Sequence, residues 1–284
     1  MDKLSVTIFS YNRACQLHAC IESFMASCVE SDEVKVNIVY KYDTEEYKAG
    51  YVKLKEAYST RSNIVWHEEK DFKAQTKQII SDVDSTFTMF LVDDIIFVDR
   101  FSIEDSQFSL LKKNSMLLAV SLRLHDGVSH CYATNKIQQI PRFVKNNVWL
   151  WKSSDGDWGY PMSVDGNVFK TDLIKNIVSN LEFNNPNTFE AALDLASKNN
   201  NVAEYMCCYV AKPKLINIPA NRVQDLYKNR FAEGLSSAEL NKLYLQGKTI
   251  NIESYQNIKP NTVHVPVEIK FVGDDSNTHS ISID

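Results

Sequence analysis

Phe87-Thr88-Met89-Phe90-Leu91-Val92-Asp93-Asp94 is the stretch on which the reading of this chain turns. Its apolar and β-branched residues run without a break, as in a strand buried on both faces, and the strand ends in two adjacent carboxylates. Upstream, Phe72, Thr76, Ile79, Ile80 and Val83 recur at helical spacing. Before them, residues 63–67 read as a short strand, Tyr47 to Tyr58 as a helix and Val34 to Tyr40 as a strand. Leu17, Cys20, Ile21, Phe24, Met25 and Cys28 mark a further amphipathic helix, and Leu4 to Phe9 (LSVTIF) opens the series as a strand broken by Ser10-Tyr11-Asn12-Arg13. Strands alternate with helices throughout residues 4–92, which predicts a parallel sheet with helices on both faces. Ligands of such sheets bind at the carboxyl ends of the strands. Ser10 to Arg13 and Asp93-Asp94 are therefore expected in one crevice although far apart in sequence.

Downstream the pattern loosens. Met116 to Leu124 (MLLAVSLRL) reads as a strand, followed by an irregular tract holding Trp149, Trp151 and Trp158. Residues 166–169 form a short strand, Thr171 caps a helix reaching about Leu181, another helix starts near Asn187, and residues 204–210 are a strand. Ser236 with Glu239 three residues on is a capping box. The expected organisation is one domain over residues 1–235, in two halves (1–100 and 101–235). A helical and loop extension follows over 236–274, and a polar tail expected to fray occupies 275–284.

The totals exclude several classes. A chain of 284 residues with 44% hydrophobic and 24% charged residues has the composition of a globular protein large enough to need no staples. A formal charge of −5 argues against nucleic acid as a partner. The six cysteines show no zinc-ribbon spacing and read as reduced, small hydrophobes. No secretory leader is legible at the N-terminus, and no apolar run approaches the ~20 residues of a membrane helix. The expected location is cytoplasmic, with a peripheral contact at the inner membrane face left open. There are only eight glycines and the first is Gly50, so the first strand-to-helix turn has none. Dinucleotide folds, P-loops and sugar-nucleotide pyrophosphorylases all need a glycine-rich loop there, so a nucleotide in this crevice must be held by side chains and a metal.

Val6-Thr7-Ile8-Phe9-Ser10-Tyr11-Asn12-Arg13, Phe90-Leu91-Val92-Asp93-Asp94, Ser163-Val164-Asp165-Gly166-Asn167-Val168-Phe169 with Thr171-Asp172, and residues 187–192 follow one another in the order seen in glycosyltransferases. Together they resemble the GT-A fold, family-two type, as found in bacterial surface-polysaccharide transferases; residues 217–224 (NIPANRVQ) resemble segments of the latter without an assigned role. The resemblance implies a Rossmann-like α/β sheet that binds a nucleotide sugar, and transfer of the sugar, with inversion, to a glycan or glycolipid acceptor. The family's metal motif is Asp-x-Asp; here Val92 or Ile95 stands at one acidic position. The second strand ends in Tyr40-Lys41-Tyr42-Asp43 where the family has an aspartate pair.

On this resemblance the divalent cofactor, Mn²⁺ or Mg²⁺, falls to Asp94 and Asp93 with His264 as third ligand, since hard cations take carboxylate oxygens. Two adjacent acids at the end of an apolar strand would also repel one another without a cation. Donor contacts are expected from Ser10, Tyr11, Asn12, Arg13, Asp93, Lys73 and Arg222, with Arg222 and Arg230 as a diphosphate clamp and Lys73 and Lys77 as weaker candidates for it. Glu190 is the first candidate for the base that takes the acceptor proton, and Asp165 the second. Glu190 also stands three residues after Asn187, so a capping box is the competing role. The twelve residues Asp155 to Gly166 (DGDWGYPMSVDG) suit a flat polyhydroxyl ligand, with Asp157, Trp158 and Tyr160 as acceptor contacts. A non-catalytic sugar- or nucleotide-binding relative of the same fold, and a sugar nucleotidyltransferase, are the alternatives.

Overall fold

The computed structural model describes residues 3–199, 202–219, 221, 235–267 and 269–272. The first half follows the strand–helix alternation read from the sequence: β1 (Leu4–Tyr11), α1 (Ala14–Ser27), β2 (Lys35–Lys41), α2 (Glu45–Ala57), β3 (Ile64–Glu68), α3 (Phe72–Ser81) and β4 (Phe87–Val92). β5 (Ile95–Phe97), α4 (Ser106–Lys113) and β6 (Leu117–Ser121) come next, then a hairpin of β7 (His130–Cys131) and β8 (Lys136–Ile137). β9 (Val148–Leu150), β10 (Asn167–Lys170), α5 (Thr171–Val178), α6 (Pro186–Asn199), β11 (Tyr205–Cys208), β12 (Leu215–Asn217) and α7 (Ser237–Leu245) complete the frame.

Among the described residues one eight-stranded sheet runs in the order β3-β2-β1-β4-β10-β6-β11-β9. β1 to β4 are parallel. β10 enters between β4 and β6 antiparallel to both, and β9 closes the far edge antiparallel to β11. Sheet residues alternate between two cores. Val6, Ile8, Met89 and Leu91 pack towards α1, α2, α4 and α7, while Phe9, Phe90 and Phe169 pack towards α3, α5 and α6. The α/β sheet with helices on both faces is thus as expected and β1 to β4 are parallel as read, while the antiparallel β10 and β9 make the whole sheet mixed; the two sequence halves share one continuous sheet.

The first turn works without glycine because Asn12 takes its place. Asn12 adopts φ 57°, a left-handed conformation that its short polar side chain tolerates. That side chain donates to Asp43 Oδ2 (3.0 Å) and accepts from the Asp43 amide (3.0 Å), tying the end of β1 to the end of β2. α7 begins with the expected capping box of Ser236 and Glu239. It packs on the first half: Asn241 Nδ2 donates to Glu46 O (2.8 Å) and Lys53 Nζ to Tyr244 O (2.6 Å). The tail assigned to 275–284 lies outside the described residues. Thr171 is the first residue of α5 rather than its cap, and its hydroxyl pairs with that of Thr88 on β4 at 2.8 Å.

Gly166 cannot be replaced cheaply. Its φ is +82°, and a Cβ there would sit 2.3 Å from Leu215 Cδ2. Gly166→Ala is expected to cost at least ~2 kcal/mol from left-handed strain and overpacking, read as a lower denaturation midpoint at unchanged m-value.

Candidate functional site

Parallel pairing of β1 and β4 sets Phe9 opposite Val92, so the turn after β1 and the aspartates after β4 meet, as their strand ends required. A cleft of about 460 Å³ opens there. Arg13 forms part of its wall, with its Nη1 3.0 Å from Asp93 Oδ1 and 3.6 Å from Asp94 Oδ2. Arg13 Nε also donates to Asn221 Oδ1 (2.9 Å), and its Nη2 to the Asn221 carbonyl. The repulsion between adjacent carboxylates is therefore answered by a guanidinium of this chain, which the sequence argument for a metal had not counted.

The two aspartates face different ways. Asp93 is 4% exposed, accepts from the Tyr11 amide (3.2 Å) as well as from Arg13, and does not line the cleft. Asp94 does line it, and accepts from Asn217 Nδ2 at 3.3 Å. Burial, only partly offset by Arg13 and reinforced by Asp93 and Asp165, pushes the Asp94 carboxyl up to about 7. Asn217 is bracketed by the segment carrying His264: it donates its amide to Val263 O (3.1 Å) and accepts from the Val265 amide (2.8 Å). His264 lines the same cleft, stacks on Tyr132 (5.7 Å, 25°) and leaves a buried Nδ1 without a hydrogen-bond partner. Burial lowers its pKa and favours the neutral imidazole, the form that ligates metals. No cluster of three His, Cys, Asp or Glu side chains suited to a metal occurs among the described residues. A carboxylate and an orphaned imidazole nitrogen lining one cleft are donors of the kind a divalent ion takes.

The same cleft is lined by Glu190 and Asp165. Phe189 is fully buried against Phe9, Phe90 and Phe183, which fixes α6 and sets the next residue at the cleft. α6 begins at Pro186; Asn185 Oδ1 accepts from the Thr188 amide (2.9 Å), and Glu190 Oε1 accepts from the Val164 amide (3.0 Å). Glu190 is accordingly no capping-box partner of Asn187: its carboxylate is spent on the facing loop. Burial first, then the charge of Asp165, raise its pKa to about 7. Asp165 Oδ2 accepts from Arg123 Nη1 at 3.0 Å, and Arg123 is 3% exposed with its Nε unpartnered. Tyr160 also lines the cleft; burial and then Glu190 hold its phenol protonated well above the usual range. Asp157 lines it too, bonded through both its carboxylate and its amide to the Gln138 side chain (3.0 and 2.8 Å).

Several expected contacts stand elsewhere. Trp158 is fully buried, donates to Val128 O (2.9 Å) and meets Trp149 edge-on at 5.1 Å. It is core, because its large apolar ring gains more from burial than from solvent, and no face is left for a sugar. Lys73 does not line the cleft; it pairs with Glu182 at 2.7 Å, and Lys77 donates to Ser179 O (3.1 Å). Ser10 is buried against the Tyr51 hydroxyl at 2.7 Å. Tyr11 donates its hydroxyl to Asp43, which raises its pKa to about 12. Arg222 and Arg230 lie outside the described residues. Sequence reasoning missed Arg123, Asn217 and Asn221. Arg123 had a signal, as a charged residue inside an apolar run; Asn217 and Asn221 had none beyond the motif-like NIPANRVQ.

No family model matches the chain. It is similar to the bifunctional glycosyltransferase pgtA of Dictyostelium discoideum, 25% identical over 288 residues that cover 89% of this chain and 36% of that protein. The chain thus spans about a third of that relative's length. The match is in line with the glycosyltransferase resemblance that the motifs carry. Similar solved structures include S. aureus TarS 1-349 (TM-score 0.48, 14% identity, 75% of this chain and 59% of that one). Another is the mannosyltransferase PcManGT from Pyrobaculum calidifontis in complex with GDP-Man and Mn²⁺ (TM-score 0.43, 13% identity, 74% and 55%). A cytidylyltransferase from Leptospira borgpetersenii superposes equally loosely (TM-score 0.43, 10% identity, 92% and 99%). At this level of superposition none of the three carries an argument about this chain's donor.

Proposed function

We propose that the chain is a glycosyltransferase moving a sugar from a nucleotide-sugar donor to a glycan or glycolipid hydroxyl, assisted by Mn²⁺ or Mg²⁺ and with inversion. The observation that carries this reading is the gathering of Asp94, beside Arg13, and Glu190, with its pKa raised by burial and Asp165, in the lining of one cleft. Asp94 and His264, which lines the same cleft, would hold the ion, and the ion would neutralise charge on the leaving diphosphate. Arg13 adds a fixed positive charge at the same end. Glu190, with its pKa raised towards neutrality, is matched to the task of a general base. It takes the proton of the acceptor hydroxyl as that oxygen attacks the anomeric carbon. The bond from that carbon to the phosphate oxygen breaks, and the nucleoside diphosphate departs with the electron pair. Attack from the face opposite the leaving group gives inversion. Asp165 and Arg123 compensate one another and are suited to hold sugar hydroxyls between them. The relative's glycosyltransferase name supports the reaction class.

A thermal-shift panel tests the reading: nucleoside diphosphates and nucleotide sugars, each with and without Mn²⁺. Ligands that bind only the folded state must raise its melting temperature, and one donor is expected to do so more in the presence of the ion. A folded sample that responds to no donor, with or without metal, and releases no nucleoside diphosphate would leave the binding-module alternative.

A further inference from the structure

Exposed large apolar side chains are scattered singly over most of this surface, but Ile137 (89% exposed), Ile140 (40%) and Val144 (53%) fall within eight residues. They lie on a strap that leads away from the β7–β8 hairpin, whose turn residues Ala133 and Thr134 line the cleft. The strap is pinned from beneath. Gln138 is buried and bonded to Asp157, and Phe143 packs edge-on against Trp149 and Trp158 at 6.4 and 5.6 Å. Its apolar residues are therefore held outward by two inward anchors. Such clustered exposure marks a contact surface.

Along the chain their charged neighbours have one sign. Residues 127–154 contain Lys136, Arg142, Lys145 and Lys152 and no Asp or Glu, in a chain with 36 acids against 31 bases. Lys136, Arg142 and Lys145 alternate with the exposed apolar residues along the strap, and all three are exposed. Apolar side chains flanked by unpaired-sign cations suit a bilayer surface, where the former enter the acyl boundary and the latter meet phosphate headgroups.

We propose that residues 136–145 form a docking surface for an anionic lipid bilayer. Ile137, Ile140 and Val144 enter the interface, and Lys136, Arg142 and Lys145 face lipid phosphates. The strap continues from the hairpin that lines the cleft beside Tyr132 and His264, so a chain docked this way holds the cleft close to the membrane. A lipid-borne acceptor would then reach the cleft along the bilayer plane; this last step rests on the glycosyl-transfer reading, whereas the docking does not.

Co-sedimentation with vesicles tests the docking without any turnover. The full chain is expected to pellet with phosphatidylcholine vesicles containing phosphatidylglycerol, and far less with phosphatidylcholine alone. Lys136→Glu with Arg142→Glu should weaken that partition at least ~tenfold. Ile137→Ser with Ile140→Ser should weaken it as well, whereas Leu195→Ser, at a 59% exposed apolar site on α6, should leave it unchanged. These surface changes spare the fold, and unchanged melting temperatures verify that. Failure of the parent chain to pellet with anionic vesicles overturns the proposal. So does equal loss in the Leu195 variant, or self-association that the serine pair abolishes in the absence of any vesicle binding.

Discussion

Asp94→Asn is expected to slow metal-stimulated release of nucleoside diphosphate by ~10²–10³-fold, the cost of losing a preorganised electrostatic contact to a leaving group. The substitution keeps the shape and an oxygen for the Asn217 amide, which now donates to Asp94 Oδ1. It removes only the charge. Its effect on stability should run the other way. The Asp94 carboxyl is raised to about 7, chiefly by burial. A group whose folded pKa lies above its unfolded value contributes stability that is present at low pH and lost as pH rises through the folded value. In the presence of a chelator, the variant should therefore match the parent in melting temperature under acid conditions and exceed it above ~pH 8. Added Mn²⁺ should stabilise the parent and not the variant. A variant that turns over like the parent, or that still gains stability from Mn²⁺, would remove Asp94 from the metal site.

Glu190→Gln should lose ~10²–10⁴-fold in kcat, the range of a positioned proton acceptor, while donor binding persists. Gln retains an oxygen for the Val164 amide, so the loop from Ser163 to Asp165 stays attached to α6. In the parent, kcat should rise with pH through about 7 and level off above it, because only the carboxylate accepts a proton. The variant should lack that limb. A purely structural role predicts a lower melting temperature and an unchanged pH profile, so the two readouts separate the roles.

The frame was legible because it is local. β1 to β4 are apolar runs separated by helices of matching period, and β4 coincides with the segment read as Phe87 to Val92. The convergence of Arg13 on the aspartates followed from parallel register. What did not follow was anything that depends on pairing at a distance. Nothing in Asn167 to Lys170 tells that it lies antiparallel between two strands. Nor did the sequence distinguish Asp93 from Asp94: the same two carboxylates divide their roles only because Arg13 and the Tyr11 amide claim one of them. Trp158 misled for a related reason. Glycines and aspartates around it suggested an open loop, yet Trp149 and Val128 from elsewhere in the chain enclose it. Glu190 could be placed at a helix start from the sequence, but its partner, the Val164 amide, came from a loop that only the fold brings close.

The antiparallel strand in the middle of the sheet also bears on how the chain reaches its native state. Val168 pairs with Met89 on one side and Val120 on the other. β2 joins β1 and β3 joins β2 through sequential crossovers, whereas β4 reaches back past both to pair with β1. β10 follows β4 and β6 in the chain and has to fill the gap between them. Until it does, β4 and β6 each present an open row of amides and carbonyls, the template on which chains stick to one another. Completion of the cleft and closure of that hazard are one event, since β10 is tethered directly to the Ser163–Gly166 loop that meets Glu190 and Arg123. A chain ending before β10 would carry a half-built sheet with an unguarded seam.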